Sequence, residues 1–99
     1  MTPDIQIQEL KERLEKGEQL HIIDVREHNE FEQQNIGGVL IPLNSLPENI
    51  EKLIPLKDQE LLILCRSGNR SGKAKRYLES KGFTHVRNII GGIDAYFQS

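Results

Sequence analysis

Two short apolar runs, "LHIIDV" at residues 20–25 and "ELLILC" at residues 60–65, constrain this chain more than any other feature. A strand with one face in water alternates apolar and polar residues, whereas a strand buried on both faces reads as a continuous run. Both runs are strand-length rather than helix-length. They therefore call for a sheet covered on each side, and the segments between them must supply the cover.

Those segments have helical character. Ile7, Leu10 and Leu14 recur at helical spacing among charged residues, and Gly17 follows where a left-handed residue would end the turn. A helix of about ten residues is expected there, entered at Gln6 without a strong capping side chain. "EHNEFEQQ" predicts a short helical turn closed by Gly37-Gly38, and "VLIPL" predicts a strand whose Pro42 marks a strand end or sheet edge. "SLPENIEKLI" reads as a helix with Pro47 in its first turn, ending before Pro55. "SGKAKRYLESKG" reads as another, with Ala74, Tyr77 and Leu78 on one face and Gly82 as its stop. "THVRNI" is a last strand, and "GGIDAYF" is a glycine turn leading into a terminal helix.

Strands alternating with helices across short loops indicate an α/β domain with a mostly parallel central sheet flanked by helices on both faces. Residues 1–99 suffice for a single domain with one core, and no repeat or linker interrupts them. In open α/β sheets, ligands bind outside the carboxyl ends of the strands. Asp24, Val25 and Arg26 end one apolar run and Cys65 ends the other, so parallel strands would bring these groups to one crevice.

Composition narrows the function. A net charge of -2 argues against a surface built for nucleic acid, so an anionic partner must be handled locally. The N-terminal "MTPDIQIQEL" has neither a basic n-region nor an apolar h-region, and no apolar run approaches the ~20 residues that span a bilayer. A cytoplasmic protein with no membrane partner is expected. The single cysteine excludes an internal disulfide, which suits a reducing compartment. His21, His28 and His85 lack metal-ligand spacing, so neither metal nor cofactor is expected.

The cysteine opens the stretch "CRSGNRSGKAKR", residues 65–76. A lone Cys after an apolar run ordinarily packs as a small hydrophobe. Here Arg66, Ser67, Gly68, Asn69 and Arg70 lie between strand and helix, and Gly and Asn readily take positive φ. Such a loop can turn its N–H groups inward at a helix N-terminus, forming a nest for an anion such as a thiolate. That field, with Arg66 and Arg70 beside it, should lower the thiol's pKa. Lowering a thiol's pKa by two units raises its thiolate fraction at pH 7 about 25-fold but costs about tenfold in nucleophilicity. The net gain is a few-fold, so more must come from holding an anionic substrate and stabilising its leaving group. Arg66, Arg70, Lys73, Lys75 and Arg76, with no acid between Glu60 and Glu79, suit that task, although Lys73, Lys75 and Arg76 equally fit a solvated helix face, Lys75 and Arg76 above all.

Three stretches, "DVREHNEFEQQNIGGVLIPL", "CRSGNRS" and "GGIDAY", make the chain resemble a single-domain rhodanese, of the thiosulfate sulfurtransferase family. The resemblance implies a rhodanese-like fold and ping-pong sulfur transfer, with Cys65 as nucleophile and residues 66–70 as its backbone cradle. It further implies that Arg66 and Arg70 contact the donor or order the loop, with Asp24, Arg26 and Ser71 supporting the site. Asp24 and Arg26 also fit a structural ion pair. The implied partners are a small anionic sulfur donor and a thiol or cyanide acceptor, or a sulfur-relay protein. A persulfide carrier is an alternative role. A cysteine-based phosphatase or arsenate reductase is disfavoured, because related phosphatases have one more residue between Cys and Arg than the four found here. The retained Cys65 argues against a non-catalytic binding module. Asn35, Tyr96 and Gln6 depart from the family pattern, which has His, Trp and a small hydroxyl residue there.

Overall fold

The computed structural model describes residues 2–99. In chain order the elements are α1 (Ile7–Glu15), β1 (Ile22–Asp24), α2 (His28–Gln33), β2 (Val39–Leu40), α3 (Leu46–Leu53), β3 (Leu61–Leu64), α4 (Asn69–Ser80), β4 (Val86–Asn88) and α5 (Gly92–Gln98). The four strands form one sheet in the order β2-β1-β3-β4, and every pairing is parallel.

The two apolar runs occupy the centre of this sheet, and successive residues feed opposite faces. Ile23, Leu61 and Ile63 pack with Leu46 and Leu53 of α3 and Ala74 and Leu78 of α4. Ile22, Leu62 and Leu64 pack with Ile7 and Leu10 of α1 and Ile93 of α5. Two cores therefore sandwich β3, whose four residues are all buried. This is why its sequence shows no alternation. On the outer edge β2 leaves Val39 exposed. The opposite edge is closed by the N-terminal segment, where the Ile5 N–H donates to the Asn88 carbonyl and the Ile90 N–H donates to the Ile5 carbonyl. Among the described residues, no helix is long and apolar enough to cross a membrane.

Two boundaries differ from expectation. Helix α2 stops at Gln33, with Gln34 already extended, well before Gly37-Gly38. The Arg26 guanidinium takes the Gln34 carbonyl at 2.8 Å, which draws the chain out of the helix. Gly37, at φ 87°, then turns it toward β2. Helix α4 starts at Asn69 rather than Ser71, because Gly68 adopts a left-handed conformation at φ 110° and serves as the N-cap. Asn69 and Arg70 thus belong to the first helical turn.

The "GGIDAY" stretch has a defined mechanical role. The Ile93 and Asp94 N–H groups, in the first turn of α5, donate to the Cys65 and Arg66 carbonyls at 2.9 and 3.0 Å. This approach depends on Gly92, at φ 60°, where a Cβ would run into both carbonyl oxygens. At Gly17, with φ 80°, a Cβ would meet nothing. Gly17→Ala should therefore cost only the left-handed strain of about 1–2 kcal/mol. Gly92→Ala, which adds a backbone clash, should cost at least ~3 kcal/mol. Denaturant unfolding of the two variants checks this, and equal losses would contradict it.

Candidate active site

The register of β1 against β3 pairs Asp24 with Leu64. Because the strands are parallel, the residues that follow, Val25-Arg26 and Cys65, leave the sheet at the same end. The Val25 N–H continues the ladder by donating to the Leu64 carbonyl at 2.9 Å.

Cys65 is 1% exposed and packs within the core beneath α3 and α4, so the bland reading of a small buried hydrophobe describes its surroundings. Its sulfur, however, meets polar hydrogens. The Gly68 N–H donates to Sγ at 3.0 Å, and the Ser71 Oγ lies 3.3 Å away. Burial pushes the thiol's pKa up. The Ser71 hydroxyl, together with the N–H groups of Ser71, Gly68 and Ser67, outweighs that and holds the pKa below the ordinary thiol value.

Arg66 and Arg70, expected beside the thiol, are each met by an acid, although Arg70 and the Cys65 thiolate still attract one another. Arg70 is engaged bidentately by Glu30, at 2.6 and 2.9 Å. Arg66 points outward, with Nε 3.4 Å from Asp94. Lys75 is not on a solvated face: it is 8% exposed and bonds Asp4 at 2.6 Å and the Thr2 carbonyl at 2.9 Å. The acids absent from the local sequence are thus delivered by α2, α5 and the N-terminal segment. Lys73 and Arg76 remain on the exposed surface of α4.

Asp24 and Arg26 form a buried pair, 0% and 3% exposed. Arg26 Nε and Nη2 donate to the carboxylate at 2.9 and 2.8 Å, and its backbone N–H donates to Oδ1 at 3.1 Å. The rest of the guanidinium faces the Glu30 and Gln34 carbonyls. A buried pair so completely satisfied is a brace. It fastens the end of β1 to α2, which in turn presents Glu30 to Arg70.

Three contributors were not singled out from the sequence. Glu30 sits inside the first family-like stretch, and Asp94 inside the last, but neither position advertises a charge partner. Asn88 ends β4 and donates from Nδ2 to the Gly68 carbonyl at 3.1 Å while accepting from Ser71. The rule that sites gather at the carboxyl ends of parallel strands could have found it. Asn35 has a local task, donating to the Phe31 carbonyl and accepting the Gly37 N–H, both at 2.9 Å. Gln6 makes no side-chain capping bond, and Tyr96 is partly buried against the α1–α5 core. His28 is exposed beside Glu32. No cluster of metal-ligating side chains occurs among the described residues. A cleft of about 340 Å³ lies beside the loop, walled by Arg26, Glu30, Gln34, Arg66, Ile93 and Asp94.

A buried thiol in a backbone cradle at the carboxyl ends of a parallel sheet defines a class of cysteine-loop α/β domains. Within that class, residues 6–99 match the rhodanese-like domain, and the chain belongs to that family. It is 42% identical over 88 residues to the putative sulfurtransferase YtwF of Bacillus subtilis, covering 88% of this chain and 82% of that protein. Thiosulfate sulfurtransferase PspE of Escherichia coli is 38% identical over 72 residues, covering 72% of this chain and 69% of that one. The putative sulfur carrier protein YrkF of B. subtilis is 36% identical over 92% of this chain, which spans only 49% of YrkF. The crystal structure of a rhodanese-like domain protein from Staphylococcus aureus superposes with a TM-score of 0.86 at 33% identity, covering 97% of this chain and 91% of that one.

Arg70 holds the Glu30 carboxyl at about 2, well below its ordinary 4.5. A carboxylate depressed in this way stabilises the fold above its unfolded value and loses that contribution as pH falls toward its folded value. Wild type should therefore exceed Glu30→Gln in stability at neutral pH, and the gap should close between about pH 4.5 and 2. Unfolding curves across that range check this. A gap that persists unchanged to the acid limit would contradict it.

Proposed function

We propose that the chain is a sulfurtransferase that moves sulfane sulfur through a persulfide on Cys65. The observation that carries this reading is the sulfur of Cys65 set against the Gly68 N–H and the Ser71 hydroxyl, in a loop of four residues closed by Arg70. The names of YtwF and PspE, a putative sulfurtransferase and a thiosulfate sulfurtransferase, support it.

The Cys65 thiolate attacks the outer sulfur of thiosulfate. The sulfur–sulfur bond breaks, sulfite leaves with the electron pair, and the transferred sulfur is left on Sγ as a persulfide. Its negative charge lies on the terminal sulfur, where the loop N–H groups can receive it. A cyanide ion or an acceptor thiolate then attacks the terminal sulfur, and the electron pair returns to Sγ. With one cysteine in the chain, the resolving thiol comes from elsewhere. Ser67, Gly68 and Asn69 form the cradle, Arg70 orders it through Glu30, and Arg66 is the cation most available to an entering anion.

A second role, persulfide carriage to a partner protein, is favoured by the pairing of Arg66 with Asp94 and Arg70 with Glu30. These acids reduce the field that would otherwise draw in a small dianion. The putative sulfur carrier name of YrkF agrees with that role. A lone cysteine cycling between thiol and persulfide suits the reducing cytoplasm.

Incubation with thiosulfate should add the mass of one sulfur atom per chain, located on Cys65 by intact and peptide mass spectrometry. Cys65→Ser should take up none. No added mass in the wild type, or equal addition to the variant, would overturn the assignment.

A further inference from the structure

Asn88 lies at the end of β4, beside the loop, without touching the sulfur. Its Nδ2 donates to the Gly68 carbonyl at 3.1 Å. A carbonyl can only accept, so the amide must present its NH2 to Gly68 and its oxygen to Ser71. The Asn88 N–H is held in turn by Asp4 at 2.9 Å, so the residue is anchored at its main chain as well.

The Ser71 side chain is fully buried between two acceptors, the Asn88 Oδ1 and the Cys65 Sγ. Its hydroxyl has one hydrogen. While Cys65 is a thiol, both needs are met: S–H donates to Oγ, and O–H donates to Asn88. Once the proton leaves the sulfur, thiolate and amide oxygen require the same hydrogen. We propose that Asn88 restrains the ionisation of Cys65 by competing with its sulfur for the Ser71 hydroxyl hydrogen. Asn88 is then a positioning residue that acts through Ser71. This deepens the sulfur-transfer reading and rests on its choice of Cys65 as the reactive thiol.

The strength of the competition follows from the groups involved. A hydrogen bond to a charged acceptor is stronger than one between neutral groups, so the thiolate wins the hydrogen but Asn88 reduces the gain. Ser71 is the largest of the groups that pull the Cys65 pKa down, so the direction of this one hydrogen matters. In the persulfide the charge moves to the terminal sulfur, the inner sulfur becomes a poor acceptor, and the hydrogen returns to Asn88. The residue therefore disfavours the empty thiolate and leaves the loaded state undisturbed.

Other charges reach the loop from β1, α2, α4, α5 and the N-terminal segment, as the pairs Asp24–Arg26, Glu30–Arg70, Asp94–Arg66 and Asp4–Lys75. Substituting Asn88 removes none of these side chains. The test titrates the single thiol by its ultraviolet thiolate absorbance against pH, in variants first shown to be folded by circular dichroism. It needs no sulfur donor, so its outcome is separate from whether thiosulfate loads the protein.

Asn88→Leu removes the competing oxygen and should lower the ionisation midpoint by roughly half a pH unit or more. Asn88→Asp supplies a stronger competitor with a negative charge and should raise it. Both variants lose the bond to the Gly68 carbonyl, so a merely structural role would move them in the same direction. In a Ser71→Ala background the Asn88→Leu shift should vanish. Shifts of the same sign in the two variants, or an undiminished leucine shift without the Ser71 hydroxyl, would overturn the proposal.

Discussion

The in-register parallel pairing of β1 with β3 is the constraint on which the rest of the structure depends. It buries both strands from two sides and sets Asp24 opposite Leu64, so that Arg26 and Cys65 leave the sheet together. Antiparallel pairing would send these residues to opposite ends. The elements that hold the cysteine loop all begin at this end of the sheet: α4 after β3 brings Ser71 to the sulfur, while α2 after β1 and α5 after β4 hold the loop itself.

Holding the loop is a problem of unsatisfied backbone groups, since a buried peptide without partners costs a large fraction of a small domain's stability. The solution divides the loop by direction. Its inward N–H groups face the sulfur, while its carbonyls are taken by the first turn of α5 and by Asn88. The side chains follow a relay of two ion pairs joined by backbone hydrogen bonds: Asp24 holds Arg26, Arg26 donates to the Glu30 and Gln34 carbonyls, and the Glu30 carboxylate holds Arg70. Arg70 therefore serves the loop's geometry through Glu30 as well as attracting the Cys65 thiolate, while the nearest polar groups at the sulfur are backbone N–H groups and one hydroxyl.

Much of this is legible in the sequence. Continuous apolar runs report burial on both faces, and Gly17, Pro47 and Gly82 mark helix ends, because these are local properties. The family-like stretches locate Cys65 and the loop for the same reason. What escapes is pairing between distant segments. Lys75 reads as solvent-facing because Asp4 is 71 residues away in the chain. The partner of Arg70, expected to contact the donor or order the loop, is not legible because Glu30 is 40 residues away. Asn88 is an ordinary strand-end residue until β4 is placed beside β3. The end of α2 is likewise set by the Arg26 guanidinium rather than by the glycines that follow.

The proposed sulfur transfer requires the loop over Cys65 to hold one additional sulfur atom. A crystal structure of the protein after exposure to thiosulfate tests it most directly. The account predicts a sulfur bonded to Sγ, lying inside the loop and within hydrogen-bonding reach of the N–H groups of residues 66–70, with the Glu30–Arg70 pair intact. An unmodified Sγ, or a persulfide swung out of the loop with no N–H partner, would contradict it.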